Sequence, residues 1–315
     1  MKTKTAVIFG GTGFIGKILT HALVKRGYVI AVPSRHVQSA YAVKTGAKVG
    51  QIVPMQCNFT VQDVAAAIPA DTDLVVNLIG VLAERKKGDF QRAHTDIPAM
   101  IAKTCADKNV GRFIHLSALA VDKAQSNYAK TKLAGEKAVL TACPDATILR
   151  PSVIFGPEDD FFNRFAQMSI ILPFLPLIGG GHSKFQPVYV GDVVDAILNA
   201  AAKDDAKGKI YELGGPEIVD FKAIYTKMFT YTKRPRALVN LPWAVARIQA
   251  AFMGVLPNPP LTADQLRSLK TDNVVAENAM TLHDLGIDAT AMDVILPQYL
   301  CRFQPGGTFG DKKAA

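Results

Sequence analysis

A glycine-rich turn near the amino terminus limits what this chain can fold into. Gly10, Gly13 and Gly16 recur at three-residue spacing. An apolar run over 5–9 before the turn predicts a buried strand, and apolar residues at three- and four-residue spacing over 15–23 predict a helix. Glycines there let backbone N–H groups approach a pyrophosphate, and the helix end adds partial positive charge. The unit predicts a dinucleotide site, with a purely structural turn as the alternative.

Composition places the chain among ordinary globular proteins. It has 315 residues, 49% apolar and 20% charged, with a net charge of +9. That length accommodates one large domain, or one domain and a lobe. A basic balance fits nucleic acid, an anionic membrane, an acidic partner or phosphate ligands. The chain has no zinc-finger spacing and no interleaving of aromatic and basic residues, so we expect no nucleic-acid partner.

Cysteine usage and hydropathy indicate the compartment. The four cysteines lie far apart and form no C-x-x-C pair, which is typical of reduced thiols in a cytosol or matrix. No signal peptide fits before the first strand. The longest apolar run, 168–181, contains two prolines and is too short to span a bilayer. His94 and His115 lack metal-ligand spacing, so we expect no metal and interpret them as packing or surface residues.

Alternating patterns continue through the first half of the chain. Further strands are predicted at 28–32, 51–56, 73–80, 112–118 and 146–155, with helices at 61–68, 89–109 and 127–142. This alternation predicts a Rossmann-type, doubly wound parallel α/β sheet over residues 1–156. Residues 157–315 are expected to form a smaller C-terminal α/β lobe, some segments of which return to the main sheet. Its predicted helices cover 160–171, 193–202, 221–232 and 240–256, with a strand at 209–213.

The end of the second strand bears on cofactor choice. NAD sites usually place an acidic residue there to bind the ribose 2′-hydroxyl, whereas NADP sites offer cations to the 2′-phosphate. This chain has Ser34 and Arg35 and no acid at that point. We therefore predict NADP(H) in preference to NAD(H), which stays possible, and the alternative for Arg35 is a plain surface charge.

Several motifs then agree on one family. Tyr128 and Lys132 form a Y-x-x-x-K pair on one face of a predicted helix. With the glycine turn, the segment 77–80, the Arg-Pro-Ser run at 150–152 and the run 187–192, the chain resembles an extended short-chain dehydrogenase/reductase of atypical kind. More narrowly, the runs 150–165 and 211–216 resemble those of the 39 kDa accessory subunit family of respiratory complex I and its bacterial relatives.

The resemblance implies roles for the tyrosine and lysine. In active relatives the tyrosine is the general acid/base, and the lysine lowers the tyrosine pKa and binds the nicotinamide ribose. A hydroxyl at the end of strand five binds the substrate oxygen, but Ala118 occupies that position. Ser117 is one residue earlier and faces the other side of the strand. Tyr128 and Lys132 are therefore candidate catalytic residues that can be vestigial and hold only the cofactor.

The resemblance also indicates the residues expected around the cofactor. They follow the carboxyl ends of successive strands, and Tyr128 and Lys132 belong among them. The others are Gly10, Thr12, Gly13, Phe14, Ile15, Gly16, Ser34, Arg35, Asn58, Asn77, Gly80, Ser117, Pro151 and Val153.

Two functional hypotheses from different classes follow. The first is an accessory or assembly protein of complex I that holds NADP(H) as a mainly structural group. The second is an active NADP-dependent oxidoreductase or epimerase, for which a related branch of the family indicates quinone metabolism. The missing hydroxyl at Ala118 favours the first.

The predicted helix at 240–256 bears on location. It is apolar over much of its surface, with Trp243, Phe252 and Met253 among its residues. It can lie against a membrane or a membrane-embedded partner, or form part of the core. With the basic net charge, this predicts a cytoplasmic protein, peripheral on the inner face of the membrane, or on the matrix side in mitochondria.

Overall fold

A computed structural model describes residues 3–253 and 261–307, without the side chains of 251–253. The first half alternates strands and helices: β1 (Thr5–Phe9), α1 (Phe14–Lys25), β2 (Val29–Ser34), α2 (Val37–Ala42), β3 (Ile52–Gln56), α3 (Val61–Ala67), β4 (Leu74–Asn77), α4 (Asp89–Gln91), α5 (Ile97–Asp107), β5 (Phe113–Leu116), α6 (Asn127–Ala142) and β6 (Thr147–Pro151). A π-helical turn, Arg92–Asp96, joins α4 to α5.

The second half contains shorter strands. Its elements are β7 (Ile154–Phe155), α7 (Phe162–Ile171), β8 (Phe174–Ile178), β9 (Lys184–Phe185), β10 (Val188–Tyr189), α8 (Val190–Ala202), β11 (Ile210–Leu213), β12 (Val219–Asp220), α9 (Phe221–Thr232), β13 (Ala237–Leu241), α10 (Trp243–Met253), α11 (Ala263–Ser268) and α12 (Met292–Leu300). No described helix is both long and apolar enough to cross a membrane.

The central sheet confirms the predicted Rossmann-type architecture. Seven strands pair in the order β11-β6-β5-β4-β1-β2-β3, and every pair is parallel. The chain runs outward from β1 in one direction through β2 and β3, and in the other through β4, β5 and β6. Ligands of such sheets bind outside the carboxyl ends of the strands, where the order reverses. That crevice lies between β1 and β4.

Helices cover both faces of the sheet because its strands are apolar on both sides. Buried aliphatic side chains of α1 and α8 pack on one face, and those of α3, α5 and α6 pack on the other. Strand β11, although it follows residue 157, is the outermost strand next to β6. The remaining lobe packs α7, α9 and α12 around an aromatic core. The division at residue 156 stays a prediction.

Two local predictions were wrong. Residues 240 and 241 end β13 and do not begin a helix, because Pro242 forces the preceding residue into extended backbone and α10 starts only at Trp243. The predicted helical end over 254–256 lies outside the described residues. The single strand predicted over 146–155 is divided, because β6 ends at Pro151 and β7 pairs with β10 away from the main sheet.

Candidate nucleotide-binding site

The glycine turn joins β1 to α1 and leaves its helix end open. Gly10 has a φ of +83°, which favours glycine, and a β-carbon at Gly16 would lie 2.2 Å from the Gly10 oxygen. Gly13 is the residue before the helix, and no side chain caps that end. The N–H groups of Phe14 and Ile15 therefore have no acceptor within the helix. This turn fits a diphosphate, which supplies acceptors and negative charge.

The end of β2 presents a free cation. Ser34 Oγ accepts the His36 N–H at 3.2 Å and donates to the His36 oxygen at 3.1 Å, which holds the loop that carries Arg35. Arg35 is exposed, and within the described ranges its guanidinium makes no ion pair or hydrogen bond. It is therefore available to a ligand at the edge of the crevice.

Two asparagines of the predicted set have different surroundings. Asn58 is exposed after β3, and its backbone oxygen accepts a hydrogen bond from Arg92 at 3.1 Å. Asn77 ends β4 and is fully buried. Its amide donates to His115 Nδ1 at 3.0 Å and its oxygen accepts the Ile79 N–H at 3.1 Å. Asn77 thus fixes the segment that leads to Gly80, and its direct contact with a cofactor stays a prediction.

Tyr128 lies in an aromatic pocket. Its ring meets His94 edge-on with centroids 5.1 Å apart, and Phe90 edge-on at 5.9 Å. Burial raises the pKa of Tyr128 to about 12. This direction is opposite to what proton transfer near neutral pH requires. Among the described residues, no neighbour lowers the tyrosine pKa.

Lys132 lies one helical turn after Tyr128 and is buried. Its Nζ donates to the Leu116 oxygen at 3.1 Å, and a β-carbon at Gly80 would lie 3.4 Å from Nζ. Burial lowers its pKa to about 8, although the Glu136 carboxylate one turn further along α6 opposes this shift. The ammonium therefore lies where β4 and β5 end, beside the crevice.

Two histidines that carried no sequence signal belong to this site. His94 Nε2 accepts the Val81 N–H at 3.1 Å, so Nδ1 carries the proton that it shares with Thr131 at 3.0 Å. Burial lowers the pKa of His94 to about 3. Both His94 and His115 are fully buried, so of the two alternatives for them, packing and surface, packing holds for both. His94 lies in the π-helical turn, a local irregularity frequent at functional sites.

The ends of β5 and β6 complete the crevice. Ser117 Oγ is buried and has no hydrogen-bond partner among the described residues, and His115 Nε2 is in the same state. His115 lies in β5, and Ser117 directly follows the end of that strand. Pro151 accepts the Leu119 N–H and Val153 accepts the Val188 N–H, each at 2.9 Å. Their backbones tie β6 and its extension to the neighbouring segments.

The site as a whole fits a dinucleotide. An uncapped helix end, a turn that excludes β-carbons, a free arginine and a buried lysine line one crevice at the switch point of the sheet. The described residues contain no group of three or more His, Cys, Asp or Glu side chains arranged to hold a metal. Sheet order, glycine turn and the Tyr128–Lys132 pair together define a nucleotide-binding protein of the short-chain dehydrogenase type.

Comparison with known proteins agrees with this class. The model of the NAD dependent epimerase/dehydratase family matches residues 6–214. NADH dehydrogenase (ubiquinone) 1 alpha subcomplex subunit 9 of Arabidopsis thaliana is 36% identical over 316 residues, 96% of this chain and 78% of that protein. Ceramide reductase of Caulobacter vibrioides is 28% identical over 76% of this chain and 71% of its own length. The structure of MoeE5 with UDP-glucose and NAD superposes with a TM-score of 0.71 at 16% identity, covering 99% and 100% of the two chains.

The chain therefore belongs to the NAD dependent epimerase/dehydratase family and, within it, to the group of the mitochondrial complex I subunit 9 proteins. The family model and the NAD-bound structural neighbour support nicotinamide-cofactor binding. Residue by residue, the assignment of cofactor contacts stays a prediction.

Proposed function

We propose that this protein is an accessory or assembly subunit of respiratory complex I that holds NADPH as a structural group. The observation that carries the proposal is the environment of Tyr128. Burial between His94 and Phe90 raises its pKa to about 12, and Ala118 provides no hydroxyl for a substrate oxygen. An acid/base residue and an oxygen donor are the two groups that hydride transfer to a carbonyl requires from the protein. A crevice that fits the cofactor, lacks the oxygen donor and keeps its candidate acid/base tyrosine protonated supports a structural role.

A bound nicotinamide nucleotide would supply hydride chemistry, and the residues of this chain bind and orient it. The α1 end and glycine turn receive the diphosphate, and Lys132 lies where the nicotinamide ribose is expected. Arg35, without an acidic neighbour in sequence, supports a 2′-phosphate and hence NADPH over NADH.

The complex I assignment comes from the relatives. The Arabidopsis protein carries the name of a complex I subunit and aligns with 96% of this chain. A relative of Neurospora crassa, 29% identical, is an NADH-ubiquinone oxidoreductase 40 kDa subunit. Because these similarities cover both the crevice and the C-terminal lobe, they support a partner role for the whole chain.

A basic, apolar surface on the C-terminal lobe supports a position at the inner membrane face. Residues 161–191 and 221–263 contain no Asp or Glu and eight Lys and Arg residues, of which Lys227 is paired with Glu217 and Asp293. The outer face of the β8–β13 pair is apolar, with Phe174 49% and Val239 46% exposed. On α10, Ile248 is 60% exposed. Cations around exposed apolar groups fit the anionic headgroups of a lipid bilayer, or a partner protein that lies at the depth of those headgroups.

The alternative is an active NADP-dependent reductase or epimerase. The relative named ceramide reductase favours this reading, because it is an enzyme that aligns with 76% of the chain. The Tyr128 and Lys132 pair permits it. Turnover would then depend on Tyr128 losing its proton far more easily when the cofactor is bound.

One experiment separates the two. The protein is isolated from its native membranes, and its nucleotide and bound proteins are identified by mass spectrometry. We expect NADPH at close to one per chain together with complex I subunits, and no steady-state NADPH oxidation with carbonyl substrates. Rapid turnover that Tyr128→Phe abolishes, in a preparation without complex I subunits, would establish the enzyme instead.

A further inference from the structure

A carboxylate from the C-terminal lobe holds the helix end that carries Tyr128. Asp264, on α11, accepts the Asn127 N–H at Oδ1 and the Tyr128 N–H at Oδ2, at 2.7 and 2.9 Å. The two partners lie more than 130 positions away in sequence. Asp264 thereby joins the lobe to the nucleotide-binding half at the first turn of α6.

This contact satisfies groups that a local cap does not reach. Ser126 is the residue before α6, and its Oγ accepts the Ala129 N–H at 3.1 Å. The N–H groups of Asn127 and Tyr128 have no acceptor within the helix, so they need one from another part of the chain. A carboxylate is favoured there, since the partial positive charge of the helix end attracts it.

We propose that Asp264 is a positioning residue for the cofactor, which acts by fixing the first turn of α6 and with it Tyr128. The proposal rests on the proposed function, because it assumes that Tyr128 and Lys132 contact the nucleotide. Asp264 itself binds no ligand. Its effect passes through the backbone of Asn127 and Tyr128.

The same helix also contacts α10. Leu266 of α11 is buried against Ala246 and Ala250 of α10. A contact made on α10 and a nucleotide bound beside α6 therefore act on one short helix. Coupling of this kind is reciprocal. A docked α11 that strengthens nucleotide binding is itself held more firmly when the nucleotide is bound.

The test compares Asp264→Asn with Asp220→Asn in the full chain. Asp220 is a matched control, because it caps α9 of the same lobe by accepting the Ala223 N–H at 2.7 Å, away from the crevice. NADPH affinity is measured by calorimetry. We expect about tenfold weaker binding for Asp264→Asn, because the amide loses the second acceptor and the negative charge that hold the first turn of α6, and a change under twofold for Asp220→Asn, where one acceptor suffices.

Hydrogen exchange gives a readout that needs no variant. NADPH should slow exchange of peptide 263–268 in the unmodified protein. The proposal fails if NADPH leaves that peptide unprotected, or if Asp264→Asn binds NADPH as tightly as the control. A protein that binds neither NADPH nor NADH would overturn the proposed function as well, whereas an unaffected Asp264→Asn overturns this inference alone.

Discussion

Arg150 and Glu136 form a two-point ion pair inside the protein, with Nε to Oε1 at 3.0 Å and the Nη2 nitrogen to Oε2 at 2.7 Å. Glu136 follows Lys132 by one helical turn, so the pair supports the lysine that lies beside the crevice. Arg150 also reaches Glu212 and Asp122 at 3.4 Å. The buried charge on β6 is thus shared among three carboxylates.

Removing the central carboxylate should destabilise the fold. Glu136→Gln leaves Arg150 with two longer partners, so we expect a loss of about 3 kcal/mol in the free energy of unfolding, the low end for a broken buried pair. Urea denaturation measures it. Asp107→Asn, which breaks an exposed pair with Lys103, should change stability by about 0.5 kcal/mol or less. Equal effects of the two changes would contradict the assigned role of the buried pair.

The glycine turn allows packing and ligand approach to be separated. A β-carbon at Gly16 would meet the Gly10 oxygen at 2.2 Å, whereas at Gly13 the nearest atom is 3.4 Å away. We expect Gly16→Ala to lose both stability and nucleotide binding. Gly13→Ala should keep its melting temperature but lose affinity, since only the ligand needs that space. Unchanged NADPH affinity in a folded Gly13→Ala protein would show that the diphosphate does not bind at this turn.

Nucleotide choice should depend on Arg35. Because one charged contact to a phosphate contributes about 1.5–3 kcal/mol, Arg35→Glu should weaken NADPH binding roughly ten- to a hundredfold and leave NADH binding nearly unchanged. Calorimetry with both nucleotides measures the ratio. Equal affinities of the unmodified protein for NADPH and NADH would refute the preference. Arg26→Glu, at an exposed position after α1, is the control for a general effect of net charge.

Local patterns predicted the fold well because they reflect local physics. The bounds predicted for β1, α6 and α9 from apolar spacing match the structure, in which Ser126 and Asp220 cap the two helices. The doubly wound parallel architecture followed from alternation and from the short-chain dehydrogenase resemblance. The division of the strand predicted over 146–155 did not, because it depends on β10 pairing with β7, a contact between distant segments.

The surroundings of the site were less predictable for the same reason. His94 and His115 carry no motif, and only the folded chain brings them to Lys132, whose charge helps lower the pKa of both. Asp264 is separated from Tyr128 by a whole lobe. The four-residue spacing of Tyr128 and Lys132, which places them on one helical face, was the sequence signal for this side of the site.

The apolar surface of α10 should govern membrane association. Phe252 and Met253, named above among the apolar residues of this helix, have side chains outside the described residues. The test therefore uses Val245 and Ile248, which are exposed on α10. Val245→Ser with Ile248→Ser should reduce co-sedimentation with anionic vesicles at low salt and leave NADPH affinity unchanged. Val49→Ser with Val61→Ser, exposed positions of the nucleotide-binding half, should have no effect. The proposal that α10 docks on a membrane or on complex I is wrong if the unmodified protein binds neither such vesicles nor complex I.

Acid should destabilise the protein through His94. Burial lowers its pKa from 6.5 to about 3 in the folded state, so the unfolded chain takes up a proton that the folded protein does not. The contribution of His94 to the free energy of unfolding is complete above pH 6.5. It falls by about 1.4 kcal/mol per pH unit as the pH decreases from there toward 3. We expect a loss of about 2 kcal/mol between pH 6.5 and 4.5.

His94→Gln isolates that contribution, since glutamine does not titrate and its amide oxygen extends about as far as Nε2 to accept the Val81 N–H. Urea denaturation is measured for both proteins between pH 7.5 and 4.5. The variant should be less stable at pH 7.5, because it loses ring contacts with Phe90 and Tyr128. The difference between the two proteins should then shrink as the pH falls, because only the histidine protein loses stability when its unfolded chain takes up a proton. Parallel pH profiles would mean that His94 is not held neutral in the fold, and the hydrogen bonds that fix its tautomer would have to be assigned differently.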